Sequence, residues 1–486
     1  MKKEFFILLS VFLLFSMKMK GQTFQDAYDS FKQHAQNNYE DFRRKANQEY
    51  AEWMRKAWGW HEKIESMPRP KDEILPPVIY NKEQEKGEPK PLPFDEVVPT
   101  PEPSPQPKPV APIREDDGNY KIFHFKFFGT DGHVRLPKDF TFKLKGKNEV
   151  AYASAWEELS TEMYDNMIRD CLVLRMKYQL CDWAYLMMLG AMSDAICGKG
   201  SNEAAMMQAY IFCQSGYKIR LGFTKNGDLR LLFKSEHLIF DLDGIKMNDG
   251  IYYLLKPIDE YGLNVCDISY PEEKPLSLWI TQEQKMTERQ SPERKLIPQD
   301  SMIAVKIQTN KNLIDFYSTY PTSMIGENIV SRWAMYARTP LSRKVKEELY
   351  PQLNVIIKRA DNVVIATNWL LYWVQTAFVY EYDDEVWGHD RAFFAEETLY
   401  YPYCDCEDRS ILFSRIVRDL LGLDVILVYY PGHLATAVAF ETTIVGDYID
   451  VGNKRYTICD PTYIGAPIGA TMPDMDNKTA KVILLK

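Results

Sequence analysis

The chain has 486 residues, 45% of them hydrophobic and 26% charged, which is ordinary for globular protein but too long for one compact core. Its formal charge of −9 argues against nucleic acid or an anionic membrane as the main partner. Eight cysteines are too sparse for a disulfide scaffold.

Residues 1–21 read as a signal peptide. Lys2 and Lys3 form a positive start, and Phe5 to Phe15 form an apolar stretch too short to span a bilayer. Cleavage is placed at Gly21-Gln22. It removes four lysines against one glutamate, so −9 becomes −12. No later stretch is apolar enough to span. The product is expected to be exported, periplasmic or secreted.

Residues 22–65 hold a predicted amphipathic helix, over 23–63. Phe24, Tyr28, Phe31, Ala35, Phe42, Ala46, Tyr50, Trp53 and Ala57 recur in steps of three, four or seven. It suits packing on its own domain and contact with a partner equally. Residues 66–113 carry fourteen of the 28 prolines, which predicts an extended spacer packed against nothing.

Residues 114–260 read as an α+β domain. A hairpin around Gly129 to Gly132 comes first, then helices over 152–214, then strands in YKIRLGF, LRLLFK, HLIFDL and IYYLL. Residues 261–345 read as a β-rich connecting region, and 346–486 as the C-terminal core. Helix, glycine and strand follow one another at Gly216 and again at Gly422, which suits an internal repeat and two unrelated helix–turn–strand units equally. The alignment sets Asn202 where Cys406 stands, with His237 in a later strand.

The chemistry-bearing residues lie in the C-terminal core. Cys406 opens a predicted helix, with Asp405 as its N-cap and Gly422 at its C-cap. Helix-start N–H groups favour a thiolate and can bind an oxyanion. Glu407 and Asp408 oppose this, so a cation must help. His433 opens a predicted strand after the Pro431-Gly432 turn, and Asp460 ends another before Pro461. A thiol, a base and an acid that orients the base make a nucleophilic triad. Singly, each has a plain structural explanation: core cysteine, structural histidine, Asp-Pro turn.

The stretches CEDRS, PGHLATAV and CDPTY together resemble the transglutaminase-like cysteine superfamily. The helix NWLLYWVQTAFVYEYDD and the loop WGHDRAFFAEETLYYPY are also similar to its secreted bacterial members. The resemblance covers about 360–470. It implies Cys406 as nucleophile, His433 as base and acid, and Asp460 as the orienting group. By analogy with papain-like enzymes, Gln375 is the expected oxyanion donor. Cys404 and Cys459 depart from the pattern as extra thiols that could bridge or compete.

The expected fold is α+β: a papain/transglutaminase-like core, a degenerate copy before it on the repeat reading, and an N-terminal helix. The expected function is a thiol peptidase, amidase or acyltransferase acting on protein or peptide amides through Cys406, His433, Asp460 and Gln375. The alternative is a non-catalytic envelope binding or scaffold protein. No metal or cofactor is expected. Cys404, Cys406 and Cys459 lack zinc spacing, and there is no Gly-rich phosphate loop.

Overall fold

Two antiparallel sheets, each preceded by a long helix, organise the protein in the computed structural model. It describes residues 40–71, 74–81, 89–109, 113, 115, 117–299 and 303–485. The fold is mixed α+β. The signal-peptide stretch and the start of the predicted long helix lie outside the described residues.

In the N-terminal unit, helix Asn202–Gln214 leads into strand Ile219–Phe223. That strand pairs with Leu229–Lys234, which pairs with Gly250–Leu254, which pairs with Gly244–Met247. Gly262–Cys266 pairs on the outer side of Ile219–Phe223. In the C-terminal unit, helix Cys406–Leu421 leads into Val425–Tyr430. That strand pairs with His433–Ala439, then Lys454–Cys459, then Asp447–Val451, while Lys481–Leu484 pairs on its outer side. Both sheets therefore run fifth, first, second, fourth, third, every pair antiparallel. In both, the helix packs on the first two strands.

What differs is how the edges are closed. Trp58–Ile64 pairs with both Gly262–Cys266 and Gly244–Met247 and shuts the first sheet into a barrel. Gly262 makes this possible, since a Cβ there would lie 2.3 Å from the His61 carbonyl oxygen. The second sheet stays open. Lys90–Pro91 and Glu96–Val98 add one short parallel strand to each of its edges. Covered edges are protected from pairing with other chains.

These strands correct two expectations. The described helix ends at residue 54, and Trp58–Ile64 is a strand. Gly59 and the aromatic Trp58 and Trp60 suit an extended segment better than a fifth helical turn. Ala46, Tyr50 and Met54 are buried, Arg43 pairs with Asp165, and Trp156 donates to Asn47 at 3.0 Å. The helix thus packs on its own chain.

The described residues of 66–113 are not a free spacer. Leu92, Val98 and Pro107 are buried, and Gln106 donates to the Leu180 carbonyl at 3.1 Å. An edge strand needs donors on one side only, so proline is compatible with it.

Smaller corrections concern the hairpin and the connecting region. The turn between Tyr120–Phe127 and Thr130–Pro137 is Phe128-Gly129, earlier than Gly132. The region 261–345 carries helices Lys311–Tyr317 and Arg332–Arg338 besides its short strands. Helices Arg343–Ile357 and Val363–Ala377 then lead to the C-terminal unit.

Candidate active site

Cys406 is the first residue of helix Cys406–Leu421, with Asp405 as N-cap and Gly422 in the left-handed conformation at the C-cap, φ 66°. The helix is amphipathic, and Ile411, Leu412, Ile416 and Val417 are buried. Two polar ties fix it. Ser410 Oγ donates to the Leu434 carbonyl at 2.7 Å, and Arg409 Nη2 donates to the Phe378 carbonyl at 2.9 Å. The first sets the helix start against the His433 strand.

His433 follows the tight Pro431-Gly432 turn, where Gly432 takes φ 79°. Its Nε2 lies 2.8 Å from Asp460 Oδ2, with both side chains buried. The other Asp460 oxygen accepts the backbone N–H groups of Thr462 at 2.8 Å and Tyr463 at 3.2 Å. The carboxylate is thereby aimed, and it in turn holds the imidazole. His433 Nδ1 is buried without a partner. Cys406 and His433 line one cavity of about 10 Å³, with Ile74, Arg332, Asp390 and Glu407 around it. That is space for about one water molecule. His433 and Asp460 are thus paired, and Cys406 lines the same cavity as His433, with no hydrogen bond between thiol and imidazole among the described residues.

The thiol is not held as a thiolate. Cys406 Sγ donates to Glu407 Oε2 at 3.3 Å. Burial, then Glu407 and Asp405, push it well above its ordinary range. The advantage expected from the helix N-terminus is outweighed by burial and carboxylates.

Gln375 corrects the oxyanion expectation. It is buried, and its Nε2 donates to the Asp460 carbonyl at 2.9 Å and the Ala466 carbonyl at 3.0 Å. Its Oε1 accepts the Gly465 N–H at 3.1 Å. Both amide hydrogens are spent on clamping the loop that carries Asp460.

Cys404 lies in the strand Tyr403–Cys404, its Sγ 3.8 Å from the Val379 carbonyl. It forms no disulfide, and neither does any other cysteine. At the corresponding helix start of the N-terminal unit stands Asn202. Its Oδ1 accepts the Leu229 N–H at 2.9 Å, and its Nδ2 donates to the Gly227 carbonyl at 2.7 Å. Leu229 opens the second strand there, as His433 does in the other unit. His237 lies elsewhere, in a two-stranded sheet with Ser323–Ile325, and is not the counterpart of His433.

Sequence reasoning named Glu407 beside the thiol but missed Asp383 and Asp390, which join it. Asp383, Asp390 and Glu407 bring carboxylate oxygens within 4.8 Å of one another, a span that could hold a hard divalent cation. Arg332 Nη2 already pairs with Asp390 Oδ1 at 3.2 Å, and the Arg391 N–H donates to Asp383 Oδ2 at 2.5 Å. The only hint in the sequence was the acidic run Asp383, Asp384 and Glu385. A wider opening of about 500 Å³, lined by Gln106, Arg175, Asp182 and Trp279, includes none of the triad.

No family model, curated protein or solved structure matches this chain. No described helix is long and apolar enough to cross a membrane.

Proposed function

We propose that the protein is an exported thiol enzyme acting on amide bonds through Cys406, His433 and Asp460, on a papain/transglutaminase-like core. The observation that carries this reading is His433. One ring nitrogen is bound to an aimed carboxylate, and the other is unpartnered in a cavity shared with a helix-initial thiol. In the proposed reaction the Cys406 proton passes to His433, and Sγ attacks the amide carbonyl carbon. His433 then protonates the leaving amine as the C–N bond breaks, leaving a thioester. Water resolves it to a carboxylic acid, or a second amine resolves it to a new amide. Asp460 holds the imidazole in the tautomer this requires.

The first unit supports the reading indirectly. It repeats the strand order with Asn202 and Leu229 where the second has Cys406 and His433. We read it as a copy without a nucleophile. A second reading, a binding protein without catalysis, is favoured by the protonated thiol beside Glu407. Incubation of a Leu75→Pro variant, in which residues 74–81 lose their hydrogen bond to Gly432, with peptide amides, followed by intact mass measurement, separates the two. The enzyme reading expects a mass added at Cys406 and lost in Cys406→Ala. The binding reading expects none.

A further inference from the structure

Residues 74–81 read Ile-Leu-Pro-Pro-Val-Ile-Tyr-Asn and run from the turn before His433 to the loop beyond Asp460. At one side the Leu75 N–H donates to the carbonyl of Gly432, the residue before His433, at 2.9 Å. Ile74 closes the cavity that Cys406 and His433 share. On the other side the segment forms a single parallel bridge with the loop beyond Asp460, Ile79 opposite Ile464. The Tyr80 N–H donates to the Ile464 carbonyl at 2.8 Å, and the Ile464 N–H to the Val78 carbonyl at 2.9 Å. The Tyr80 ring packs edge-on against Tyr463, with centroids 5.4 Å apart. Leu75 and Val78 pack on the cluster of Tyr463, Ala466 and Met472.

The site beside this segment is buried, with Cys406 2%, His433 1% and Asp460 3% exposed. Main-chain hydrogen bonds plus pockets for side chains are how a groove receives an extended peptide. The Pro76-Pro77 pair holds the segment extended at little further entropic cost. The contacts fall on backbone beside His433 and on backbone beyond Asp460, so they flank the pair.

We propose that this cleft is a groove for an extended apolar polypeptide and that residues 74–81 occupy it in cis as a tethered substrate mimic. The substrate class is then a protein segment without charges at the positions held by Ile74, Leu75 and Val78. The occupancy stands by itself, and only the chemistry rests on the thiol-enzyme reading. A tethered segment competes at an effective concentration in the millimolar range, so a substrate enters only after the strap is displaced or cut.

The test uses full-length protein. Leu75→Pro removes the N–H that binds Gly432, and Ile74→Asp puts a charge against the cavity. Both should raise the rate of Cys406 alkylation by about tenfold or more, as expected when an effective millimolar competitor is lost. A synthetic peptide of residues 74–81 should slow alkylation of Leu75→Pro, and a scrambled peptide should not. A fluorescent form of the peptide should bind the Leu75→Pro, Cys406→Ala double variant, which reads occupancy without chemistry. Peptide binding without any turnover would sustain the groove and remove the enzyme reading. Equal alkylation in wild type and both variants would overturn the proposal. So would faster alkylation with no binding of the 74–81 peptide, because the strap would then be a cover and not a mimic.

Discussion

Two thiols two residues apart are separated by what they face. Cys404 Sγ points to the Val379 carbonyl within a short strand pair, whereas Cys406 opens on the cavity that holds His433. In the strap-released Leu75→Pro background, Cys406→Ala should abolish fast alkylation and Cys404→Ala should leave most of it. Peptide mapping of the label checks this, and full labelling after Cys406→Ala would move the role. Gln375→Ala would leave Asp460 O, Ala466 O and Gly465 N without their side-chain partner. Urea unfolding should show a loss of about 2–4 kcal/mol, since buried polar groups left unpaired are costly. The helix-initial place of Cys406 and the pairing of His433 with Asp460 are legible in the sequence because each residue abuts a local signal: an N-cap, a Pro-Gly turn, an Asp-Pro. The work of Gln375 was not legible, because its partners lie 85 to 91 positions away. The state of the thiol was misread because charge at a helix start was weighed without burial.

At the scale of elements, periodicity served well for helices. Cys406–Leu421 starts and stops where its caps predict. It fails for the stretch 58–64, where helical spacing runs on but the chain is a strand. Its role as a strand depends on two partners far along the chain, and no local pattern shows them. Composition failed for the proline-rich stretch, since it reports that a segment cannot build its own core, not that nothing else will hold it. The Leu92 N–H donates to Tyr448 O and the Asp95 N–H to Ala480 O, both at 2.7 Å. Hydrogen exchange should therefore find these two amides protected well beyond a free chain. Exchange at the free-chain rate would restore the spacer reading.

At the scale of the whole molecule, buried acids set the response to pH. Burial and then Glu407 raise Asp383 to about 8, and burial raises Glu396 to about 7, from ordinary values of 3.8 and 4.5. Groups raised in the folded state stabilise below their unfolded values, and that contribution is lost as pH rises through 7 to 8. His237 acts oppositely, lowered from 6.5 to about 4 by burial. Its contribution is present above 6.5 and lost as pH falls towards 4. Between pH 4 and 6.5 the two trends oppose each other, and above 6.5 only the acids act. Thermal melts should therefore show stability falling from pH 6.5 to 8.5, on the order of 1–2 kcal/mol. Glu396→Gln should flatten that slope, and an unchanged slope would mean the acid is not protonated in the fold. The repeated sheet order was only hinted at in the sequence by glycine spacing, because strand order is a property of pairing at a distance. The central claim is that Cys406 and His433 act as one unit. Its most direct test is the alkylation rate of Cys406 against pH in Leu75→Pro, with and without His433→Ala. The account predicts reaction near neutral pH that falls about a hundredfold without the imidazole, in the range a positioned base contributes. Equal rates with and without His433 would contradict it.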